Sequence, residues 1–281
     1  MTLKRGLAAP NFAVDPHDLV ELGVTAEQTG FDGFFLWNHL LFSNDGDGPD
    51  ILDPWLVLAL IAEATERITI GTMITPVSRR RPAVLARQST TLDLISKGRL
   101  VLGVGIGSPA HGDFALFGDE ADAMTRAEML DEGLVVLQGL WSGEPFAHAG
   151  KHYSIGEVTF TATPVQRPRI PISVGGVPPL RRPMLRAARW DGAVPITWSD
   201  GRLARPSPEQ IVGVRDLVAE HRDPRDPAFD LAVWAEVTRR PDELRAELPA
   251  YVDAGATWWI ETAKPESGWL AELAERIEAG V

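Results

Sequence analysis

The sequence predicts an α/β fold in which strands and helices alternate to form a single barrel. Three stretches carry this prediction, at residues 67–71, 99–105 and 170–176: each is apolar, rich in β-branched residues and ends in glycine. Runs this apolar, without alternation, are typical of parallel strands buried on both faces. A length of 281 residues also suits one (β/α)8 barrel, which typically needs roughly 250 residues.

Eight strand–helix units can be followed along the chain. The predicted strands cover residues 3–9, 33–37, 68–74, 99–104, 172–174, 192–196, 231–237 and 257–261. The predicted helices cover residues 16–29, 54–65, 82–95, 123–141, 180–188, 208–221, 241–254 and 268–278. Three helix starts place Asp or Ser directly before proline, an arrangement that caps a first turn. Because eight units close a barrel, we assign residues 1–281 to one domain.

The alternation of strand and helix is interrupted twice. Residues 43–48 form a polar, glycine-rich loop after the second strand, and residues 143–170 precede the fifth strand. The second segment is too long for a simple turn, so we predict an insertion there, with a short hairpin between residues 151–155 and 158–162. It begins on the face opposite the catalytic one, which leaves a structural cover and a functional role equally open.

Composition excludes several classes of protein. A net charge of -12 argues against a surface that binds nucleic acid. The chain has no cysteine, which excludes disulfides, thiolate nucleophiles and Cys-ligated metals, and its histidines lack metal-ligand spacing, so we predict no metal. The longest apolar run, residues 55–62, is too short to cross a bilayer, and residues 1–6 lack the apolar core of a signal peptide. We therefore expect a soluble, cytoplasmic protein without a membrane partner.

Glycines close two of the predicted strands. Gly105 and Gly107 match part of a dinucleotide-binding fingerprint, but no helix follows at once. The fingerprint also needs an acidic residue at the end of the next strand, about 20 positions later, and the segment there is predicted to be helical. We expect this strand end to accommodate a flat ligand instead. Gly175 and Gly176 precede a helix whose N–H groups can bind an anion, with a tight turn as the alternative.

Polar residues at the strand ends are candidates for chemistry. Asn38 and His39 follow the second strand, where a histidine is either catalytic or structural. Glu236 and Glu261, at or near the ends of strands seven and eight, could orient a substrate or pair with an arginine. Arginine clusters at residues 79–81 and 181–182 could receive an anionic ligand or remain solvated.

Several segments together resemble a known family. The most specific is TERITIGTMITP at residues 65–76, followed by RPAVLAR at 81–87 and TLDLISKGRLVLGVGIG at 91–107. LWSG at 140–143 and QRPRIPISVGG at 166–176 continue the likeness, which spans AEQTGFDG at 26–33 to AARWDG at 187–192. The chain thereby resembles the bacterial luciferase-like family of flavin- and deazaflavin-dependent oxidoreductases.

The resemblance implies a barrel with a redox cofactor at the carboxyl ends of the strands, and a homodimer. It also implies a non-proline cis peptide behind the cofactor ring, at Thr72-Met73 or its neighbour. The residues that it implies for binding the cofactor are Thr72, Met73, Gly105, Gly107 and His111 near the ring, and Gly175, Gly176 and Thr197 near the phosphate.

The chain departs from the family pattern at one catalytic position. Many relatives carry Asp-His where this chain has Asn38-His39, so no carboxylate proton donor is assigned at position 38. A second departure is that the chain is short after the sixth strand, where longer relatives enclose their substrate.

Three functions stay open. Deazaflavin (F420) could move a hydride to or from a small organic substrate, and the arginine clusters favour its acidic tail. Reduced FMN could instead activate oxygen for monooxygenation, or the chain could be a non-catalytic flavin-binding homologue. Independently of the function, the helix from residue 54 is apolar around nearly its whole circumference, which also favours a homodimer.

Overall fold

A computed structural model describes residues 3–42, 48–109, 112–177, 181–199, 202–236 and 241–279. Its strands are β1 Lys4–Ala9, β2 Gly33–Leu36, β3 Thr69–Pro76, β4 Leu100–Gly105, β5 Phe146–Ala149, β6 Ser154–Val158, β7 Ile172–Gly176, β8 Gly192–Pro195, β9 Thr197–Ser199, β10 Arg202–Ala204, β11 Asp230–Glu236 and β12 Trp258–Thr262. Its helices are α1 Pro16–Gln28, α2 Pro54–Ala64, α3 Pro82–Ile95, α4 Ala123–Trp141, α5 Arg181–Ala187, α6 Pro208–His221, α7 Pro241–Ala254 and α8 Trp269–Glu278. Short 3-10 turns cover Val77–Arg79 and Ala115–Phe117.

A closed barrel of parallel strands confirms the predicted fold. Around the barrel the order is β1, β2, β3, β4, β7, β8, β11 and β12, which pairs again with β1. The last pairing aligns Lys4 with Trp258 and Leu7 with Glu261, so no barrel edge stays open. The barrel strands and the helices agree with the sequence-based bounds to within a few residues.

Helix starts follow the predicted capping chemistry. The Asp53 carboxylate accepts hydrogen bonds from Trp55 N at 2.8 Å and Leu56 N at 3.2 Å, ahead of Pro54 in the first turn of α2. Ser207 and Gln210 form a reciprocal capping box at α6. These side chains satisfy backbone N–H groups that a helix start leaves without partners.

Two hydrophobic layers form the core. The larger layer lies between the strands and the surrounding helices. The smaller layer fills the barrel, and its buried members are Ala8, Phe35, Met73, Val194, Ala232, Trp234, Trp258 and Ile260. Large side chains such as these leave the barrel interior packed, so a ligand must bind at one of its ends.

The hairpin predicted at residues 151–155 and 158–162 is wrong in position. The paired strands are β5 and β6, which align Phe146 with Val158 and Ala149 with Ser154. Glu132 on α4 accepts hydrogen bonds from His152 N at 2.9 Å and Tyr153 N at 2.7 Å. Those bonds hold residues 152–153 as the approach to β6, a long-range contact that local sequence does not encode.

Candidate active site

Three partly exposed apolar side chains form the site floor at the carboxyl ends of the barrel strands. Trp37 follows β2, Ile74 lies on β3 and Ile196 follows β8, and all three pack on the interior layer of the core. Trp37 is fixed by a hydrogen bond from its indole Nε1 to Thr262 Oγ1 at 3.1 Å. Active sites of this barrel architecture lie at this end, so the site floor marks the candidate site.

Glycines on β4 and β7 make room for Ile74. A Cβ at Gly175 would lie 1.8 Å from Ile74 Cδ1, and a Cβ at Gly105 would lie 3.3 Å from Ile74 Cγ2. Gly105 was predicted to border a flat ligand and Gly175 to lie near the cofactor phosphate; in the structure both border Ile74. The peptide bond joining Met73 and Ile74 is cis, at the neighbour of the Thr72-Met73 bond that the family resemblance implies.

Three other residues predicted near the ring are engaged in packing within the protein. Thr72 is 1% exposed, with its Oγ1 2.6 Å from Thr75 Oγ1, and Met73 is 5% exposed within the interior layer. Gly107 has φ +74°, and a Cβ there would lie 2.5 Å from the Phe114 ring. Gly107 therefore serves the packing of the loop after β4, because only glycine suits that backbone angle at no cost.

Asn38 is locked in a hydrogen-bond network below the surface. Its Nδ2 donates to Thr75 Oγ1 at 3.0 Å, while its Oδ1 accepts from Arg79 Nη2 at 3.2 Å. The same Arg79 nitrogen donates to the Asn38 carbonyl at 2.8 Å. Both ends of the Asn38 amide are engaged, so the side chain holds these loops in place. Because a carboxamide does not ionise, Asn38 cannot act as a general acid or base.

His39 stands at the mouth of the site with an aromatic surround. Its side chain is 25% exposed, and its ring centroid lies 6.1 Å from that of Phe12, 6.1 Å from that of Trp37 and 5.6 Å from that of Phe42. Rings at these distances form an apolar wall beside a polar, titratable group. This combination is typical of a small-molecule site.

A carboxylate that the sequence analysis did not single out, Asp113, reaches His39 from the loop after β4. Asp113 Oδ2 lies 3.0 Å from His39 Nδ1 and accepts from Arg79 Nη1 at 2.6 Å. Its Oδ1 accepts from the backbone N–H groups of Leu40 and Leu41, each at 2.7 Å. Burial raises the pKa of Asp113, but the bond to His39, the Arg79 charge and the Leu41 N–H outweigh it and hold the pKa below its ordinary value of 3.8.

The predicted phosphate region is described only in part. A Cβ at Gly176 would lie 2.3 Å from Pro183 Cβ, so this glycine allows α5 to pack closely. Thr197 is 8% exposed, and its hydroxyl donates to the Ala204 carbonyl. Residues 178–180, between Gly176 and α5, and His111, predicted near the ring, lie outside the described residues.

The two arginine clusters differ in availability. Arg79 is engaged by Asp113 and Asn38, and Arg80 lies 3.7 Å from Asp53 Oδ2 with its guanidinium over the Trp55 ring. Arg181 and Arg182, at the start of α5, are exposed. Arg81 is exposed too, so an anionic ligand would meet Arg81, Arg181 or Arg182 rather than Arg79 or Arg80.

The two glutamates at strand ends both have basic partners. Glu261 is 5% exposed and forms a two-bonded ion pair with Arg276 on α8. Glu236 Oε2 lies 3.6 Å from Lys264 Nζ. Of the two alternatives left by the sequence, the contacts favour pairing with a basic residue over substrate orientation.

Within the ranges described above, no three His, Cys, Asp or Glu side chains converge to hold a metal ion. No helix in that part of the chain is long and apolar enough to span a bilayer.

Comparisons with known proteins agree with the sequence resemblance. The model of the luciferase-like monooxygenase family matches residues 1–280. An F420-dependent glucose-6-phosphate dehydrogenase of Amycolatopsis mediterranei (strain U-32) is 33% identical over 99% of this chain and 90% of its own length. One from Microbacterium testaceum (strain StLB037) is 36% identical, over 63% of this chain and 52% of its own length. Among solved structures, an F420-dependent secondary alcohol dehydrogenase in complex with an F420-acetone adduct superposes with a TM-score of 0.79 at 17% identity, covering 100% of this chain and 99% of the other.

Proposed function

Since the chain belongs to the luciferase-like monooxygenase family, we propose that it is an oxidoreductase that moves a hydride between F420 and a small organic substrate. The observation that carries the proposal is His39, a titratable ring in an aromatic surround at the mouth of the site floor. The curated relatives named above are F420-dependent dehydrogenases, which favours F420 over FMN. The ring of the cofactor supplies the hydride chemistry when bound, and the protein orients the reactants.

The site floor fits the flat ring of a flavin-type cofactor. Ile74 is partly exposed and rests over Gly105 and Gly175, so it offers an apolar face at the height where a ring would lie. We propose Ile74 as the residue below the ring, with Thr72, Met73 and Gly105 supporting it from beneath.

Phosphate binding is proposed for the other side of the barrel mouth. Gly175 and Gly176 end β7, Thr197 begins β9, and the exposed Arg181 and Arg182 begin α5 nearby in the chain. Two positive charges at this place suit the acidic tail of F420 better than a neutral ligand. His111 and Gly107 stay predictions for the loop after β4.

We propose that the substrate carries an apolar group next to its reacting carbon. The wall beside His39 consists of Phe12, Trp37 and Phe42, and the nearby Arg79 is already engaged by Asp113. A simple secondary alcohol or ketone matches this wall better than a sugar phosphate, because the phosphate would need a cation.

Cofactor titration and turnover test the proposed function. The purified protein is titrated separately with F420 and FMN, and the fall in deazaflavin absorbance is then followed with a secondary alcohol and with glucose 6-phosphate. We expect micromolar F420 affinity and turnover with the alcohol. Oxygen consumption with reduced FMN alone would support the monooxygenase alternative, and F420 binding without turnover of any substrate would support a non-catalytic homologue.

We also propose a cytoplasmic homodimer consisting of one domain per chain. Leu56 and Leu60 are 73% and 47% exposed and lie four residues apart, on one face of α2. An exposed apolar stripe of this kind is suited to burial against a second copy.

Residues 143–170 are proposed as an insertion with a structural role. Gln166 Nε2 donates to Asp93 Oδ1 on α3 and to the Leu100 carbonyl at the start of β4, both at 2.7 Å. The start of β4 is the end of the barrel opposite the site floor. This attachment favours a cover over a role in substrate binding.

A further inference from the structure

We propose that Asp113 is a positioning residue that fixes the tautomer of His39, leaving His39 Nε2 free to accept a proton from the substrate. The inference deepens the proposed function and rests on it only for the kinetic part of its test. The chain has no carboxylate beside His39 in the sequence, because Asn38 stands there. In this proposal Asp113, on the loop after β4, supplies one.

The first step is the charge state of Asp113. The side chain is 1% exposed, and three donors converge on it: Leu40 N, Leu41 N and Arg79 Nη1. A buried carboxylate that receives several N–H bonds and faces a guanidinium is ionised at neutral pH. An ionised carboxylate can only accept hydrogen bonds.

The second step follows from the 3.0 Å contact between Asp113 Oδ2 and His39 Nδ1. Because Asp113 can only accept, the proton of a neutral His39 must be on Nδ1. Nε2 then carries a lone pair. The His39 ring is partly exposed and lies beside the aromatic wall, so a substrate held against that wall can reach this nitrogen. Among the described residues, Arg79 is the one other charged group in contact with this pair, and no second carboxylate contacts it.

The third step is the proton transfer that this tautomer permits. In the oxidation of an alcohol, the hydroxyl O–H bond breaks and its proton passes to His39 Nε2. With oxidised F420 bound as the hydride acceptor, the carbinol C–H bond would break with both electrons leaving to it, and the C–O bond would become a carbonyl. His39 would thereby gain one proton and the alcohol would become a ketone, so that atoms and electrons balance.

The structure also specifies what Asp113→Asn would do. Leu40 N and Leu41 N both donate to Oδ1, so the carbonyl oxygen of the new amide must take that position and its NH2 must take the position of Oδ2. That NH2 would lose the hydrogen bond from Arg79 Nη1, which also uses the Oδ2 position, and would donate to His39 Nδ1, which drives the proton to Nε2. Replacing an orienting carboxylate by an amide is known to select the wrong histidine tautomer in this way.

Nitrogen NMR of the histidine ring tests the tautomer without cofactor. In 15N-labelled protein at a pH where the ring is neutral, the His39 signal is identified by its loss in His39→Gln. We expect a protonated Nδ1 and a bare Nε2 in wild type, and the reverse in Asp113→Asn. A protonated Nε2 in the wild type would overturn the proposal, even if Asp113→Asn did not fold.

Kinetics provide the second test. Asp113→Asn should lower kcat about 10²-fold or more, the usual size of a general-base contribution, while F420 affinity changes little. Asp119→Asn removes a charge from the same loop and serves as the control. In a His39→Ala background, Asp113→Asn should cause no further loss of kcat, since the two residues act as one unit. An additive loss would assign Asp113 to folding alone, whereas absence of any wild-type turnover would count against the proposed function and leave the NMR test intact.

Discussion

Arg276 and Glu261 join the last helix to the last strand through a bidentate ion pair. Arg276 Nε lies 2.8 Å from Glu261 Oε2, and Arg276 Nη2 lies 2.9 Å from Glu261 Oε1. The residues are 4% and 5% exposed, so the pair is shielded from water and salt. Removing one partner would leave the other charge buried without compensation.

We predict that Glu261→Gln lowers the free energy of unfolding by about 3 kcal/mol, as breaking a buried pair usually does. The double replacement Glu261→Leu with Arg276→Leu should cost less, because it leaves no buried charge. Urea unfolding of the three proteins measures both quantities. If the single replacement is as mild as the double one, the pair is not shielded as described. Turnover of the folded Glu261→Gln variant should match wild type.

Gly175→Ala should weaken F420 binding about tenfold. Its Cβ would lie 1.8 Å from Ile74 Cδ1, so the end of the Ile74 side chain must move, and we expect it to move toward its exposed side, where the ring is proposed to lie. Overpacking of this kind costs about 1–3 kcal/mol, and about 1.4 kcal/mol is a factor of ten in affinity. The matched control is Gly156→Ala on β6, where a Cβ would meet nothing within 4 Å. Equal F420 affinity in both variants would remove Ile74 from the cofactor site.

Gly176 is a less informative position for the same question. Its place at a strand end predicts from the sequence alone that Gly176→Val affects a loop and leaves the fold intact. A Cβ there would lie 2.3 Å from Pro183 Cβ and 2.9 Å from Met184 Cε, so valine would displace α5. A loss of binding in Gly176→Val therefore could not be separated from a change in folding.

Glu27 should give the protein part of its acid sensitivity. Its Oε2 accepts from Arg67 N at 2.6 Å and Ile68 N at 2.7 Å, which ties α1 to the segment before β3. Burial raises the pKa of Glu27, but the backbone N–H groups of Arg67, Ile68 and Glu66 outweigh it and hold the pKa below its ordinary value of 4.5. Since the unfolded chain binds the proton more readily, this stabilisation is present above about pH 4.5 and is lost as the pH falls through the lower folded value.

Glu27→Gln should therefore lower the free energy of unfolding by about 1.5 kcal/mol at neutral pH, the size of a charged hydrogen bond. The difference from wild type should shrink as the pH falls below about 4.5, where the unfolded carboxyl begins to bind its proton. Urea unfolding across this range measures it, with Glu21→Gln on the exposed face of α1 as the control. A difference that stays constant with pH would contradict a role for the Glu27 charge.

If the exposed leucines of α2 form the proposed homodimer interface, placing charged residues on this helix should dissociate the dimer. Leu56→Glu combined with Leu60→Glu should yield a monomer, because two carboxylates would be buried without partners at the interface. Met124→Glu is the control, since Met124 is 64% exposed and lies on α4. Sedimentation equilibrium at micromolar concentration compares the three proteins. A wild-type monomer, or a double variant that still dimerises, would refute this interface.

The strand and helix bounds could be predicted because each depends on a local pattern. The apolar runs that end in Gly71 and Gly105 identify buried parallel strands, and Asp53 before Pro54 identifies the start of α2. The hairpin was misplaced because its position depends on Glu132, which binds residues 20 and 21 positions away. Local periodicity carries no signal for such a contact.

Local patterns were enough to specify the barrel, the strand ends at which chemistry can occur and His39 as a candidate. Which carboxylate meets His39 depends instead on the folded chain: Asp113 lies 74 positions away, and the closing of the barrel brings the loops after β2 and β4 together. The contact of Gly105 and Gly175 with Ile74 depends on it too, since the space beside a glycine is set by the neighbouring strands. Periodicity is a property of consecutive residues, whereas these contacts arise from strands that meet only when the sheet closes.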